Sequence, residues 1–212
     1  QTGNTNYGTN AFSNISSGDY NAAFGYQSLE NNTSGSHNTA LGVSALRTQT
    51  SGDYNTALGN FALYTNSSGY SNVGIGYYSL FTNTGNGNTA VGVRSLQENT
   101  TADYNTAFGY YSLRYNTTGS SNVAAGYLSL EDNTSGSYNT AIGLSSLGDN
   151  TTGNYNVAVG ANALDKNTTG YNNTAIGYEA LEENSTGVWN TAIGISSLGD
   201  NTTGYSNVAV GG

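Results

Sequence analysis

Cysteine, proline and methionine are absent from the 212 residues. Without cysteine there are no disulfides, no thiolate metal sites and no cysteine nucleophile, and nothing fixes the redox compartment. Without proline every residue keeps the backbone N–H that a central strand must donate. Charge is scarce as well. Charged residues make up 8% of the chain, and the only cations are Arg47, Arg94, Arg114 and Lys166, against a net charge of −9. So few scattered cations exclude a phosphate-neutralising surface, hence nucleic acid as a partner, and a polybasic membrane patch. No apolar run approaches the roughly 18 residues of a membrane helix, so this segment is read as not inserted in a membrane. Hydrophobic residues are also few, at 35%, yet the high net charge per residue typical of disordered chains is missing. Asn, Thr, Ser and Gly fill the space, with 18 tyrosines. The chain reads as ordered but not globular. It starts at Gln1 without a signal-like segment, which reads as a piece processed or excised from something longer.

What is present is a period. Asparagine opens a unit at Asn4, Asn21, Asn38, Asn55, Asn72, Asn88, Asn105, Asn122, Asn139, Asn156, Asn173, Asn190 and Asn207. Every spacing is 17 except the 16 between Asn72 and Asn88. Counting columns from that asparagine, the fifth is always Gly, the eighth is Ala or Ser, and the ninth is Leu with Phe12 as the exception. The third is Ala except for Asn6 and Gly74, and the fourth is a freely varied apolar residue. Columns 12 to 15 mostly read Asn-Thr/Ser-Thr/Ser-Gly, a turn cluster. The short unit loses its residue there, in "TNTGNGN", where a turn tolerates a deletion and a strand does not.

Seventeen residues are too few for two packed helices. They accommodate two short strands and two turns. The expected fold is therefore all-β, a single array over residues 1–212 forming a parallel β-solenoid or β-roll of about twelve coils, with two short strands per coil. In "NTAIGY" the strand alternation puts Asn, Ala and Gly on one side and Thr, Ile and Tyr on the other. Columns 4 and 9 are expected to supply the bulky core, with the small residues of columns 3, 5 and 8 admitting a neighbouring backbone. The opposite assignment, small residues inside and the aliphatics outside against a partner, stays open. A core this thin favours oligomerisation, and the uncovered ends of such an array suggest continuation or end-to-end stacking.

The stretch "TTGYNNTAIGYEAL", a Thr-Gly turn leading into Asn and then Ala-x-Gly, resembles the head repeats of trimeric autotransporter adhesins and similar repeats of tail-fibre-like proteins. The resemblance covers essentially the whole chain, although the unit here is longer, with "xLxxN" between successive turns. It implies a parallel β-roll, three chains side by side, and an extracellular fibre or adhesin head.

The sharpest chemical signal separates two asparagine columns. None of the column 1 asparagines lies in an N-x-S/T sequon; they are expected to form a side-chain amide ladder. In column 12, Asn32, Asn66, Asn99, Asn116, Asn133, Asn150, Asn167, Asn184 and Asn201 are sequons, candidates for a row of N-linked glycans. A turn rich in Asn and Thr also matches that pattern by composition. Asn14, Asn31 and Asn172 are off-register matches.

Column 2 is Thr in eight units, Val at 73, 123, 157 and 208, and Ala at 22; ice binding is a candidate that this irregularity weakens. Asp19, Asp53 and Asp103 share one column and Asp132, Asp149 and Asp200 another, too sparsely for a calcium site per coil. His37 is the sole histidine, in a column otherwise holding Tyr, Ser, Asn and Trp189, and Glu182 and Glu183 have no evident partner base. No enzyme activity and no cofactor are expected. The expected role is a structural, surface-adhesive segment of an extracellular fibre; a virion tail-fibre segment and an ice-binding solenoid are the alternatives. Its partners would be copies of itself, as a lateral oligomer or an end-to-end filament, together with surface glycans or host receptors.

Overall fold

The computed structural model describes residues 2–212. They gather into two compact units, Gln1–Asn105 and Thr106–Gly212. Among the described residues there is no helix, and every strand is three residues long. The first unit holds β1 (Thr5–Tyr7), β2 (Ala22–Phe24), β3 (Thr39–Leu41), β4 (Thr56–Leu58), β5 (Val73–Ile75) and β6 (Thr89–Val91). The second holds β7 (Thr106–Phe108), β8 (Val123–Ala125), β9 (Thr140–Ile142), β10 (Val157–Val159), β11 (Thr174–Ile176), β12 (Thr191–Ile193) and β13 (Val208–Val210).

Within each unit successive strands pair in parallel with column on column. Thr39, Ala40 and Leu41 face Thr56, Ala57 and Leu58 in the first unit, and Thr174, Ala175 and Ile176 face Thr191, Ala192 and Ile193 in the second. Each unit is a parallel β-solenoid with one coil per 17 residues, as the period predicts. The 16-residue coil stays in register, Val73 facing Thr89, because its missing residue comes out of the turn. Asn83 still donates its amide to the Gly85 carbonyl at 3.0 Å, across two residues instead of the usual three.

The coil contains one strand, not the two expected. Glycine in column 5 ends the strand at φ of +138 for Gly42 and +137 for Gly143, a region closed to L side chains. A Cβ on Gly42 would also lie 2.6 Å from the Gly59 carbonyl oxygen of the next coil. Beyond it, columns 7 and 9 are both left-handed, at φ +56 for Ser44 and +51 for Leu46. Backbone bonding continues there in alternating directions. The Ser44 N–H donates back to Tyr26 O at 2.8 Å and the Leu46 N–H forward to Ala62 O at 3.0 Å. The second arm is thus laddered to its neighbours without ever being extended.

The core is narrower than expected. Column 9 is inside, with Leu29, Leu46 and Leu63 of the first unit and Leu130, Leu147 and Leu164 of the second fully buried. Column 4 is not. Phe24 is 38% and Leu41 52% exposed, because the strand's middle residue, Ala23 or Ala40, takes the inward position. Alanines of column 3, the Ala or Ser of column 8, the leucines and two asparagine columns fill the interior. Column 8 serines close onto the glycine carbonyl of their own coil, Ser146 Oγ donating to Gly143 O at 3.1 Å.

Candidate functional site

The first candidate surface, the column 12 sequons, lies inside the coil. Asn32, Asn66, Asn99, Asn116, Asn133, Asn150, Asn167 and Asn184 have no exposed surface, and only Asn201 is half-buried. Their amides form a ladder of their own. Asn150 Nδ2 donates to Asn133 Oδ1 at 2.7 Å and to Gly153 O at 3.1 Å, and Asn150 Oδ1 accepts from Asn167 Nδ2 at 2.8 Å. Asn201 joins the same row through Asn184 Oδ1 at 2.7 Å. An N-linked glycan replaces one Nδ2 hydrogen; at Asn150 both are engaged. The expected glycan row thus falls on a column whose asparagines are buried and hydrogen-bonded in the folded coil. Gln49 stands in for asparagine in this row, donating to Gly52 O at 2.8 Å and accepting from Asn66 Nδ2 at 3.2 Å.

The column 1 asparagines form the expected ladder. Asn139 takes its backbone N–H to Asn122 Oδ1 at 2.9 Å and its Nδ2 to Gly153 O at 2.8 Å. Asn139 Oδ1 in turn accepts the Asn156 N–H at 2.9 Å. The Gly153 carbonyl receives both Asn139 and Asn150, so the two ladders are joined once per coil. Buried amides are costly without partners and stabilising with all of them; these are satisfied.

The acidic and histidine candidates resolve into supports. Asp53 Oδ1 accepts the Ser36 N–H at 2.7 Å and Asp103 Oδ1 the Asn86 N–H at 2.6 Å. Asn154 does the same for the Ser137 N–H at 2.7 Å, so the job needs an oxygen rather than a charge. Among the described residues no cluster of three or more His, Asp or Glu could hold a metal ion. His37 is stacked between Tyr20 and Tyr54, with ring centroids 5.1 and 4.9 Å away. Its column is left-handed and carries exposed aromatics, including Tyr138 stacked on Tyr155 at 5.0 Å and Trp189. These rings cover one another's faces and present edges to solvent.

Charged side chains keep to columns 7, 10, 11 and 16, away from the strand. Arg47 pairs with Glu30 at 2.7 Å, and Lys166 lies 3.2 Å from Asp149 and 3.1 Å from Asp165. Arg114 is 3.6 Å from Glu131 and its guanidinium lies over the Tyr111 and Tyr115 rings. Glu182 and Glu183 line an open depression of about 270 Å³ with Glu179, Ser196, Gly199 and Asp200. Burial first, then the neighbouring carboxylates, raises the Glu182 carboxyl above its ordinary range.

The outward side of the strands, columns 2 and 4, is the surface that follows from the alternative assignment, with small residues inside and the aliphatics outside. No charged residue occupies either column in any unit. A signal was available: column 4 varies freely among apolar residues, including Tyr7, Phe24, Ala125 and Val159, whereas an interior position in so thin a coil would fix its size, as column 9 does. No protein-family model and no curated protein sequence matches the chain.

Proposed function

We propose that the chain is a structural, surface-adhesive repeat segment of an extracellular fibre, without catalytic activity. The observation that carries the reading is the pair of joined asparagine ladders, which tie coil to coil through buried amides rather than through a wide apolar core. Such a coil is stabilised by its neighbours and can be repeated, the physical logic of a shaft. The resemblance to adhesin head repeats points the same way. Adhesion would draw on the exposed rings of Tyr20, Tyr54, Tyr104, Tyr155 and Trp189, which suit glycan or protein contacts. Copies of the chain are the other expected partners, side by side or end to end, with Phe24, Leu41 and Phe108 as exposed apolar contacts. Antibodies raised against the folded chain test the proposal by immunogold microscopy of the source material. Gold along filaments outside cells, or on virion fibres, is expected in turn from the two fibre readings; label confined to the cell interior would overturn both.

A further inference from the structure

One stretch of the outward sheet face carries the longest unbroken run of β-branched residues in columns 2 and 4. Strands β9 to β13 are aligned column on column. They set Thr140, Val157, Thr174, Thr191 and Val208 in one row and Ile142, Val159, Ile176, Ile193 and Val210 in the next. All ten side chains are β-branched and none is charged. Branching at Cβ restricts χ1, so the relief of this face is rigid. Valine has the shape of threonine with a methyl in place of the hydroxyl. Val157 and Val208 therefore interrupt the hydroxyls without interrupting the surface. The resulting grid repeats at about 4.8 Å from strand to strand and about 6.6 Å between the two rows.

Threonines in column 13 of the turns are engaged, Thr151 Oγ1 donating to Thr168 O at 2.9 Å and Thr168 Oγ1 to Ser185 O at 3.1 Å. The hydroxyls of Thr140, Thr174 and Thr191 have no hydrogen-bond partner among the described residues.

We infer that the β9–β13 face binds ice. Methyl groups at fixed spacing restrict the first water layer, and hydroxyls at the same spacing anchor it by hydrogen bonds. A regular uncharged face of this kind holds water in a crystal-like layer that can join a growing ice surface. A protein partner fits less well. Protein interfaces draw on Tyr, Trp, Phe, Met and Arg as anchors, yet a chain with 18 tyrosines places none on these ten positions. Burying three hydroxyls against aliphatic groups would also leave them unpaired. The rungs with bulky side chains, Phe24, Leu41 and Leu58 in β2 to β4 and Phe108 in β7, lie outside this stretch. The inference goes beyond the fibre reading and does not depend on where the chain resides.

Ice recrystallisation and thermal hysteresis of the full chain test it, with Thr174→Lys and Ile176→Lys on the face and Thr169→Lys at the exposed turn as control. Wild type and T169K should slow recrystallisation alike. T174K and I176K should require about tenfold more protein or lose the effect, the consequence of setting a hydrated charge in the grid. Light scattering should give all four the same mass, and circular dichroism the same fold. If a lysine variant fails to fold, Thr174→Ser, which removes only the methyl, carries the same expectation. Wild type inert towards ice, T174K and I176K as active as wild type, or a wild-type assembly that T174K dissociates would each overturn the inference; the last would put a second copy on the face.

Discussion

Leu130 holds φ at +51 with its side chain fully buried. A left-handed non-glycine residue costs about 1–2 kcal/mol, which burial of the leucine, worth about 1.5–3 kcal/mol, offsets. The same conformation rejects branching at Cβ. That explains why columns 7, 9 and 17 contain no Val, Ile or Thr in any unit while column 2 is dominated by them. Leu130→Val should therefore destabilise by about 2–3 kcal/mol, roughly one for the lost methylene and the remainder from backbone strain. Leu130→Met, unbranched and of similar volume, should cost about 1.5 kcal/mol or less. Denaturant titration of the two variants checks the order; equal losses would mean the left-handed backbone plays no part.

At the scale of the coil, the amide ladder sets what each turn tolerates. Asn150 uses its Nδ2 as donor to two acceptors, so Asn150→Asp removes both donors and leaves a charge in the interior. A loss of roughly 3 kcal/mol or more is expected from the unpaired groups. Asn150→Gln should be milder, since Gln49 already makes two of the three corresponding bonds. A melting series of wild type, N150Q and N150D checks this.

The period, the parallel stacking and the column 1 ladder were legible in the sequence, because a 17-residue repeat opening on Asn with an invariant Gly four residues on admits few other shapes. The burial of column 12 was not. Asn, Thr, Thr and Gly read as an exposed turn by local chemistry, and one of the two acceptors that let Asn150 point inward comes from a neighbouring coil. The second strand was misplaced for a related reason. Apolar pattern distinguishes inside from outside but not an extended arm from a left-handed one, and the avoidance of β-branched residues in columns 7 and 9 was the signal that did.

Across the whole molecule, acidic residues outnumber basic ones by 13 to 4, giving the net charge of −9. In the second unit several of them share a strip. Burial, reinforced by the charge of Asp149, raises the carboxyls of Glu131 and Asp165 above their ordinary range despite Arg114 and Lys166. A carboxyl whose pKa is higher folded than unfolded binds protons more readily in the folded state. Its contribution is favourable below the unfolded value and is lost as pH rises through the folded one. Lowering the pH from 7 to about 4.5 should therefore raise the melting temperature, opposite to ordinary acid denaturation. Calorimetry across that range checks it, and a monotonic fall would show that the strip is not under strain.

The coil with one residue fewer, between Asn72 and Asn88, has a consequence for how such a chain changes over generations. Each coil meets its neighbours through the same residues, Asn over Asn and Gly over Gly, and the turn absorbs a change of one. A copying slip that adds or drops a whole coil within a unit therefore hands the chain surfaces it already fits. The number of coils is a dial that replication errors can turn, lengthening or shortening the molecule with no new packing problem to solve.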